Sequence, residues 1–380
     1  MSSSASKSES SLDVTRWIEA TYRVRAPASA IEARARAIAL EQSVELPLEA
    51  VTDSRVLNEV VARVVDIVPA DAATFDATIR LAAETTGFEA GQLLNMLFGN
   101  TSLQDDVALI DVKFPAPFAA RFGGPRFGIE GIREITGVHG RPLTCSALKP
   151  QGLAPAQLAA IAHTFARAGI DVIKDDHGLA DQATAPFSAR VREVQRAVDD
   201  ANHEIGGRCV YAPSLSGHHG QMHQQIAQAR ECGVRMFLVA PMVSGVATLA
   251  ALAGEAGAPI IAHPAMAGSG RIAPPLLLGK LFRLFGADAT IFPNAGGRFG
   301  YTPDICAGIV QAARQSWHPL APMLPVPAGG MSVERVPEMR GVFGNDTMLL
   351  IGGSLLAAGE QLFARCRAFV AAVRDQGANR

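Results

Sequence analysis

Lys149 and Lys174 are two of only five lysines among 34 basic residues, the others being Lys7, Lys113 and Lys280. A chain that meets most of its need for cations with arginine invites a chemical reading of a lysine placed in a strand. A buried lysine sheds its proton at accessible cost and then serves as base, nucleophile or carbamate, whereas arginine stays charged. Lys174 opens the run Lys174-Asp175-Asp176-His177 at the end of DVIKDD. Strand residues two apart share a face, so Lys174 and Asp176 point to one side, Asp175 points to the other, and His177 enters the following loop. A structural ion pair is the alternative for a lysine beside a carboxylate.

Other polar positions follow apolar runs in the same way. His263 ends PIIAH, and Gly329-Gly330 and Gly352-Gly353 close MLPVPAGG and MLLIGGS. Such glycine pairs either let a strand turn into a helix or bring backbone N–H groups to an anion. His218, His219 and His223 cluster in HHGQMH, but with no carboxylate or cysteine beside them in sequence a metal reading is disfavoured.

The elements that must position these residues can be counted. From Arg141 onward eight short apolar runs (PLTCSALK, DVIKDD, RCVYAPS, RMFLVAPM, PIIAHPA, ATIFPN, MLPVPAG, MLLIGGS) alternate with amphipathic helical runs such as APAQLAAIAHTFARAG and PPLLLGKLFRLFG. Eight strands alternating with helices predict a (β/α)8 TIM barrel, with an open doubly wound sheet as the rival. The chemistry of such a barrel lies at the C-terminal strand ends, where the residues above fall. Upstream, strands around WIEATYRVRA, RVVDIVPA, TFDATIRLA and VALIDVKFP with two helical runs between them predict a smaller α+β, ferredoxin-like domain. The expected division is a disordered tail over 1–15, an N-terminal α+β domain over 16–135 and a catalytic barrel over 136–380.

Composition narrows the function classes. A net charge of −2 and the lack of any dense Lys/Arg run argue against nucleic acid or anionic membranes as partners. Five scattered cysteines without a CxxC pair signal neither a disulfide framework nor a zinc site. The polar start MSSSASKSESS lacks the apolar stretch of a secretory signal, and no long apolar run is present. A soluble, cytoplasmic enzyme is the expectation.

GIDVIKDDH resembles the G-x-D-x-x-K-D-D-E motif of the ribulose bisphosphate carboxylase superfamily, and the chain from Trp17 onward is similar to its RuBisCO-like, form IV members, which do not fix carbon. In that motif the lysine is carbamylated and binds Mg²⁺ with the second aspartate and the glutamate. The resemblance therefore implies Lys174, Asp176 and, in the glutamate's place, His177 as metal ligands, with Mg²⁺ as cofactor and Mn²⁺ as the softer alternative. SALKPQGL is similar to T-I-K-P-K-x-G-L and implies Lys149 as the proton-carrying lysine in a buried setting; the motif's second lysine is absent, with Gln151 nearby. AHPAM resembles H-R-A-M, so His263 matches while the arginine that binds a second phosphate is Pro264. NAGGRFG offers Arg298 where the family's sixth loop carries a lysine. PAGGM and IGGS resemble the one-phosphate site, implying Gly329, Gly330, Gly352 and Gly353. LEQS and FGNTS resemble segments that reach a partner's active site, which implies Glu41, Asn100 and a homodimer with shared sites.

One phosphate site, the enolising lysine and most of the metal site remain, while the second phosphate site and the carboxylation loop are altered. The expected function is a metal-dependent enolising enzyme acting on a singly phosphorylated keto sugar or keto sugar acid without CO₂ fixation. Two chemistries fit. Decarboxylation or carboxyl transfer on a 3-oxo-isoapionate 4-phosphate type sugar acid is preferred, because a substrate carboxylate would compensate for the missing protein one at His177. Isomerisation of 5-methylthioribulose 1-phosphate is the alternative. A non-catalytic phospho-sugar-binding relative is the competing class.

Overall fold

The computed structural model describes residues 16–375, so the tail expected over 1–15 lies outside the described residues. The chain divides into two compact units, one within Met1–Phe122 joined by Gly270–Ala273, the other Gly123–Ser269 with Pro274–Arg380. Gly123 thus opens the larger unit, which includes the helix Gly128–Thr136.

The smaller unit holds four strands, β1 (Trp17–Arg25), β2 (Arg63–Pro69), β3 (Thr74–Ala82) and β4 (Val107–Lys113), in the antiparallel order β2-β3-β1-β4, with helices Ile31–Glu41 and Ala90–Phe98 in the connections. The alternation in β1 explains the layer. Ile18, Ala20, Tyr22 and Val24 are buried on one face, while Glu19 and Arg23 on the other pair across the sheet with Arg80 and Asp76 at 2.8 Å. The expected order of strands and helices holds. Unforeseen from the sequence is Gly270–Ala273, where Leu109 and Ile272 bridge in parallel and extend the sheet beyond β4.

The larger unit contains β5 (Leu143–Leu148), β6 (Val172–Asp175), β7 (Val210–Ala212), β8 (Phe237–Val239), β9 (Ile260–Ala262), β10 (Ala289–Pro293), β11 (Leu324–Ala328) and β12 (Met348–Leu350). All eight fall within the apolar runs read from the sequence. They form two parallel arcs, β12-β5-β6-β7 and β8-β9-β10-β11. The arcs meet where Ser214, just past β7, bridges Leu238, and where β11 runs alongside β12. This is the expected (β/α)8 barrel.

Alternation along the strands sets what lies inside. Leu143, Cys145, Val172, Leu238, Ile261 and Leu350 belong to one buried core cluster, which Ile129 and Ile132 of the helix Gly128–Thr136 join. Fully burying such an aliphatic side chain contributes about 1.5–3 kcal/mol. Continuing the same parity toward the C-terminal strand ends places Lys149, Lys174, Asp176 and His263 on the interior side. The opposite end is tied structurally: Asp171, just before β6, accepts from Arg141 Nη1 at 2.7 Å, from Thr144 N at 2.8 Å and from Thr144 Oγ1 at 2.9 Å.

One expected amphipathic helix differs. PLLLGKL winds as a π-helix over Pro275–Leu281, followed by a short α-helical turn, Phe282–Leu284. Its apolar residues are buried around the axis rather than along one stripe, as befits a helix enclosed by the core. Gly279 permits this, because a Cβ there would lie 2.6 Å from Ala312 Cβ and 2.9 Å from the Ile309 carbonyl. No helix among the described residues is long and apolar enough to cross a membrane.

Candidate active site

Lys149, Lys174, Asp176, His177 and His263 converge at the C-terminal ends of β5, β6 and β9. Lys149, one residue past β5, places Nζ 2.5 Å from Asp176 Oδ1. Its setting differs from the buried one expected: the side chain is 35% exposed and ion-paired, because the lysine stands at the rim rather than below it. Lys174 is sealed at 3% exposure, and its Nζ donates to the Asp175 carbonyl at 2.9 Å. Burial pushes the Lys174 pKa down, against the opposing pull of Asp176 and Asp175.

Asp176 behaves oppositely. Burial works to raise its pKa, but hydrogen bonds from His177 and Lys149 and the charges of Lys149 and Lys174 outweigh it and hold the carboxyl well below the usual range. His177 Nδ1 lies 3.4 Å from the same Asp176 oxygen, and its ring stacks on His263, centroids 4.2 Å apart at 10°. His263 Nδ1 accepts from Ala265 N at 3.1 Å, which leaves Nε2 to carry the proton of the neutral ring. Burial first, then the charge of Lys174, pushes the His263 pKa down to about 2. His263 is therefore held as a neutral imidazole with its N–H at Nε2.

One of the glycine pairs borders this group. A Cβ at Gly352 would lie 4.0 Å from Lys149 Cε, so the turn after β12 borders the Lys149 side chain, with Gly353 opening the short helix Gly353–Leu356. Gly329 and Gly330 both have positive φ, 75° and 66°, and a Cβ at Gly330 would lie 2.5 Å from Gly297 Cα. The loops after β10 and β11 thus touch backbone to backbone, which glycine alone permits. Arg298 turns onto its neighbour, its guanidinium 5.0 Å from the Phe299 ring centroid. In the smaller unit, Asn100 Nδ2 donates to Glu41 Oε1 at 2.9 Å, so this pair is assembled independently of the barrel.

The HHGQMH cluster takes other roles. His218 caps the helix His219–Glu231, while His219 Nε2 and His223 Nδ1 lie 3.3 and 3.0 Å from Glu255 Oε2. Folding supplies the carboxylate that the sequence did not place beside them. Still, among the described residues no three His, Cys, Asp or Glu side chains are arranged to hold a metal ion.

Sequence reasoning missed what lies behind β6. Asp175 faces outward, as alternation requires, and is wholly buried. Its carboxylate accepts from Arg190 Nε at 3.0 Å, Tyr211 Oη at 2.7 Å and Ser214 N at 3.0 Å. A signal existed: Arg190 occupies the apolar face of the helix Phe187–Ile205, between Phe187 and Val191, where an unpaired cation would be costly.

The family model of the ribulose bisphosphate carboxylase large chain, catalytic domain, matches residues 128–361. The 5-methylthioribulose-1-phosphate isomerase of Rhodospirillum rubrum is 52% identical over 362 residues, covering 95% of this chain and 97% of that protein. A 2,3-diketo-5-methylthiopentyl-1-phosphate enolase of Geobacillus kaustophilus is 35% identical, covering 78% of this chain and 75% of that one. Among solved structures, a Rubisco-like protein from Rhodopseudomonas palustris superposes with a TM-score of 0.90 at 50% identity, covering 95% of this chain and 99% of that one.

Proposed function

The chain belongs to the ribulose bisphosphate carboxylase large-chain family, and from that premise we propose that it is an enolising enzyme acting on a singly phosphorylated keto sugar derivative without fixing CO₂. The observation that carries this reading is the Lys149–Asp176 pair at the rim with Lys174 sealed beneath it. Two lysines in one site are thereby given different environments and different tasks.

The donor set fits a divalent cation. Asp176 is held as an anion, His177 faces the same oxygen, and burial favours the neutral amine of Lys174 that reacts with CO₂. Two ordinary ligands do not make a metal site, so the third is the carbamate oxygen of Lys174. Mg²⁺ suits the oxygens, and the imidazole shifts preference toward Mn²⁺. When bound, such an ion supplies positive charge that stabilises a negatively charged substrate oxygen.

The protein's own groups do the rest. In its neutral form Lys149 Nζ removes a proton from the carbon beside the ketone and returns it to a neighbouring carbon. His263 Nε2–H orients the substrate oxygen. The backbone N–H groups at Gly329, Gly330, Gly352 and Gly353 take the single phosphate. Glu41 and Asn100, held together in the smaller unit, complete the site of a partner subunit in a homodimer.

Between the two chemistries, isomerisation of 5-methylthioribulose 1-phosphate takes precedence over the sugar-acid decarboxylation preferred from the sequence. The support is the isomerase from R. rubrum, half identical over nearly the whole of both chains. Solvent-deuterium incorporation beside the carbonyl tests the reading, after incubation with Mg²⁺ and bicarbonate. Exchange with migration of the carbonyl is expected from 5-methylthioribulose 1-phosphate. Release of CO₂ from a phosphorylated β-keto sugar acid would restore the decarboxylase, and neither exchange nor turnover with any such compound would leave a binding protein.

A further inference from the structure

Asp175 stands between Lys174 and Asp176 and faces the opposite way. Any rotation of the strand end that moved the two interior side chains would have to drag its carboxylate out of three hydrogen bonds, contributed by two different elements. Tyr211 and Ser214 hold it from β7 and its extension, and Arg190 holds it from the helix Phe187–Ile205. Arg190 reaches further, donating Nη1 to the carbonyls of Ala180 and Ala185 at 2.7 and 2.8 Å. Both lie in the loop that carries His177 away from β6. A network built for stability alone would gain from apolar replacements, which avoid the desolvation of a buried pair. Its cost is intelligible if its product is geometry.

We propose that Asp175, Arg190 and Tyr211 form a positioning unit that fixes Lys174, Asp176 and His177 from outside the barrel. These residues touch neither substrate nor metal; they act through the strand end and the loop. The inference rests on the metal-binding reading above. Outer partners of this kind typically govern metal affinity by 10–100-fold.

The test is Mn²⁺ binding to the full chain, followed by electron paramagnetic resonance with and without bicarbonate, which reads the site without turnover. Tyr211→Phe removes one hydroxyl from Asp175, while Thr144→Val removes one from Asp171 at the other end of the same strand pair. Both variants are expected to lower the melting temperature. Only Tyr211→Phe is expected to weaken bicarbonate-dependent Mn²⁺ binding, by about tenfold or more. Unchanged affinity in Tyr211→Phe, or an equal loss in Thr144→Val, overturns the positioning unit while leaving the metal reading standing. Absence of bicarbonate-dependent Mn²⁺ binding by the unaltered protein overturns both. Should Tyr211→Phe not fold, Arg190→Lys replaces it, keeping the charge but losing the reach to Ala180 and Ala185, and is read the same way.

Discussion

Lys149 Nζ and Asp176 Oδ1 lie 2.5 Å apart, a charged hydrogen bond that crosses from the end of β5 to the end of β6. The contact parks the lysine at the rim of the barrel beside the carboxylate proposed to hold the metal. Replacing it by methionine keeps the stem and removes the amine. Lys149→Met is expected to lower deuterium exchange beside the carbonyl by about 10²–10⁴-fold, the usual contribution of a positioned acid or base. Because the pair is partly exposed, the melting temperature should stay within a few degrees. Proton NMR in D₂O and a thermal scan check both halves.

Lys174 carries a different expectation, since its ammonium is buried against a neutral carbonyl. Lys174→Met should abolish metal-dependent turnover and the ¹³C carbamate resonance formed with labelled bicarbonate. It should also relieve the desolvation of a buried amine, because an apolar side chain of similar length takes its place. The pH dependence has a definite sign. The folded pKa of Lys174 is depressed, so the unfolded chain binds more protons and wild-type stability rises with pH. The advantage of Lys174→Met, measured by urea unfolding in CO₂-depleted buffer, is therefore full below the folded pKa and narrows toward the free-lysine value of about 10.4.

At the glycine turns the expectation concerns binding. A Cβ at Gly330 would meet Gly297 Cα at 2.5 Å, on a residue whose φ is 66°. Gly330→Ala should force the loops after β10 and β11 apart and cost more than about 1 kcal/mol of stability. Steady-state kinetics should show KM for the phosphorylated substrate raised about tenfold or more, with kcat less affected, as loss of ground-state binding requires.

Shared sites make a prediction that a self-contained monomer does not. Glu41→Gln and Lys149→Met proteins should each be inactive. Refolded together, they should recover about a quarter of wild-type activity, because each mixed dimer has one site free of both changes. No recovery from a mixture shown by mass spectrometry to contain mixed dimers would place Glu41 outside the partner's site.

Much of this protein is written locally. Strand alternation with amphipathic helices specified the barrel, since parallel strands buried on both faces need continuous apolar runs. The two-residue period of a strand assigns Lys174 and Asp176 to the interior and Asp175 to the helix layer. The scarcity of lysine singled out Lys149 and Lys174. Where a local pattern decides a side chain's direction, the sequence suffices.

What the tertiary structure decided depends on residues far apart in the chain. Nothing near Lys149 in sequence shows that Asp176 is its partner, or that His177 stacks on His263, because closure of the barrel sets those distances. The same holds for Glu255 beside His219 and His223, and for the Gly270–Ala273 segment that extends the sheet at β4. The two lysines make the contrast plain. Sequence marked both as chemical, but burial alone separates the lysine at the rim from the amine sealed below, since the free energy of an ammonium depends on how much water surrounds it.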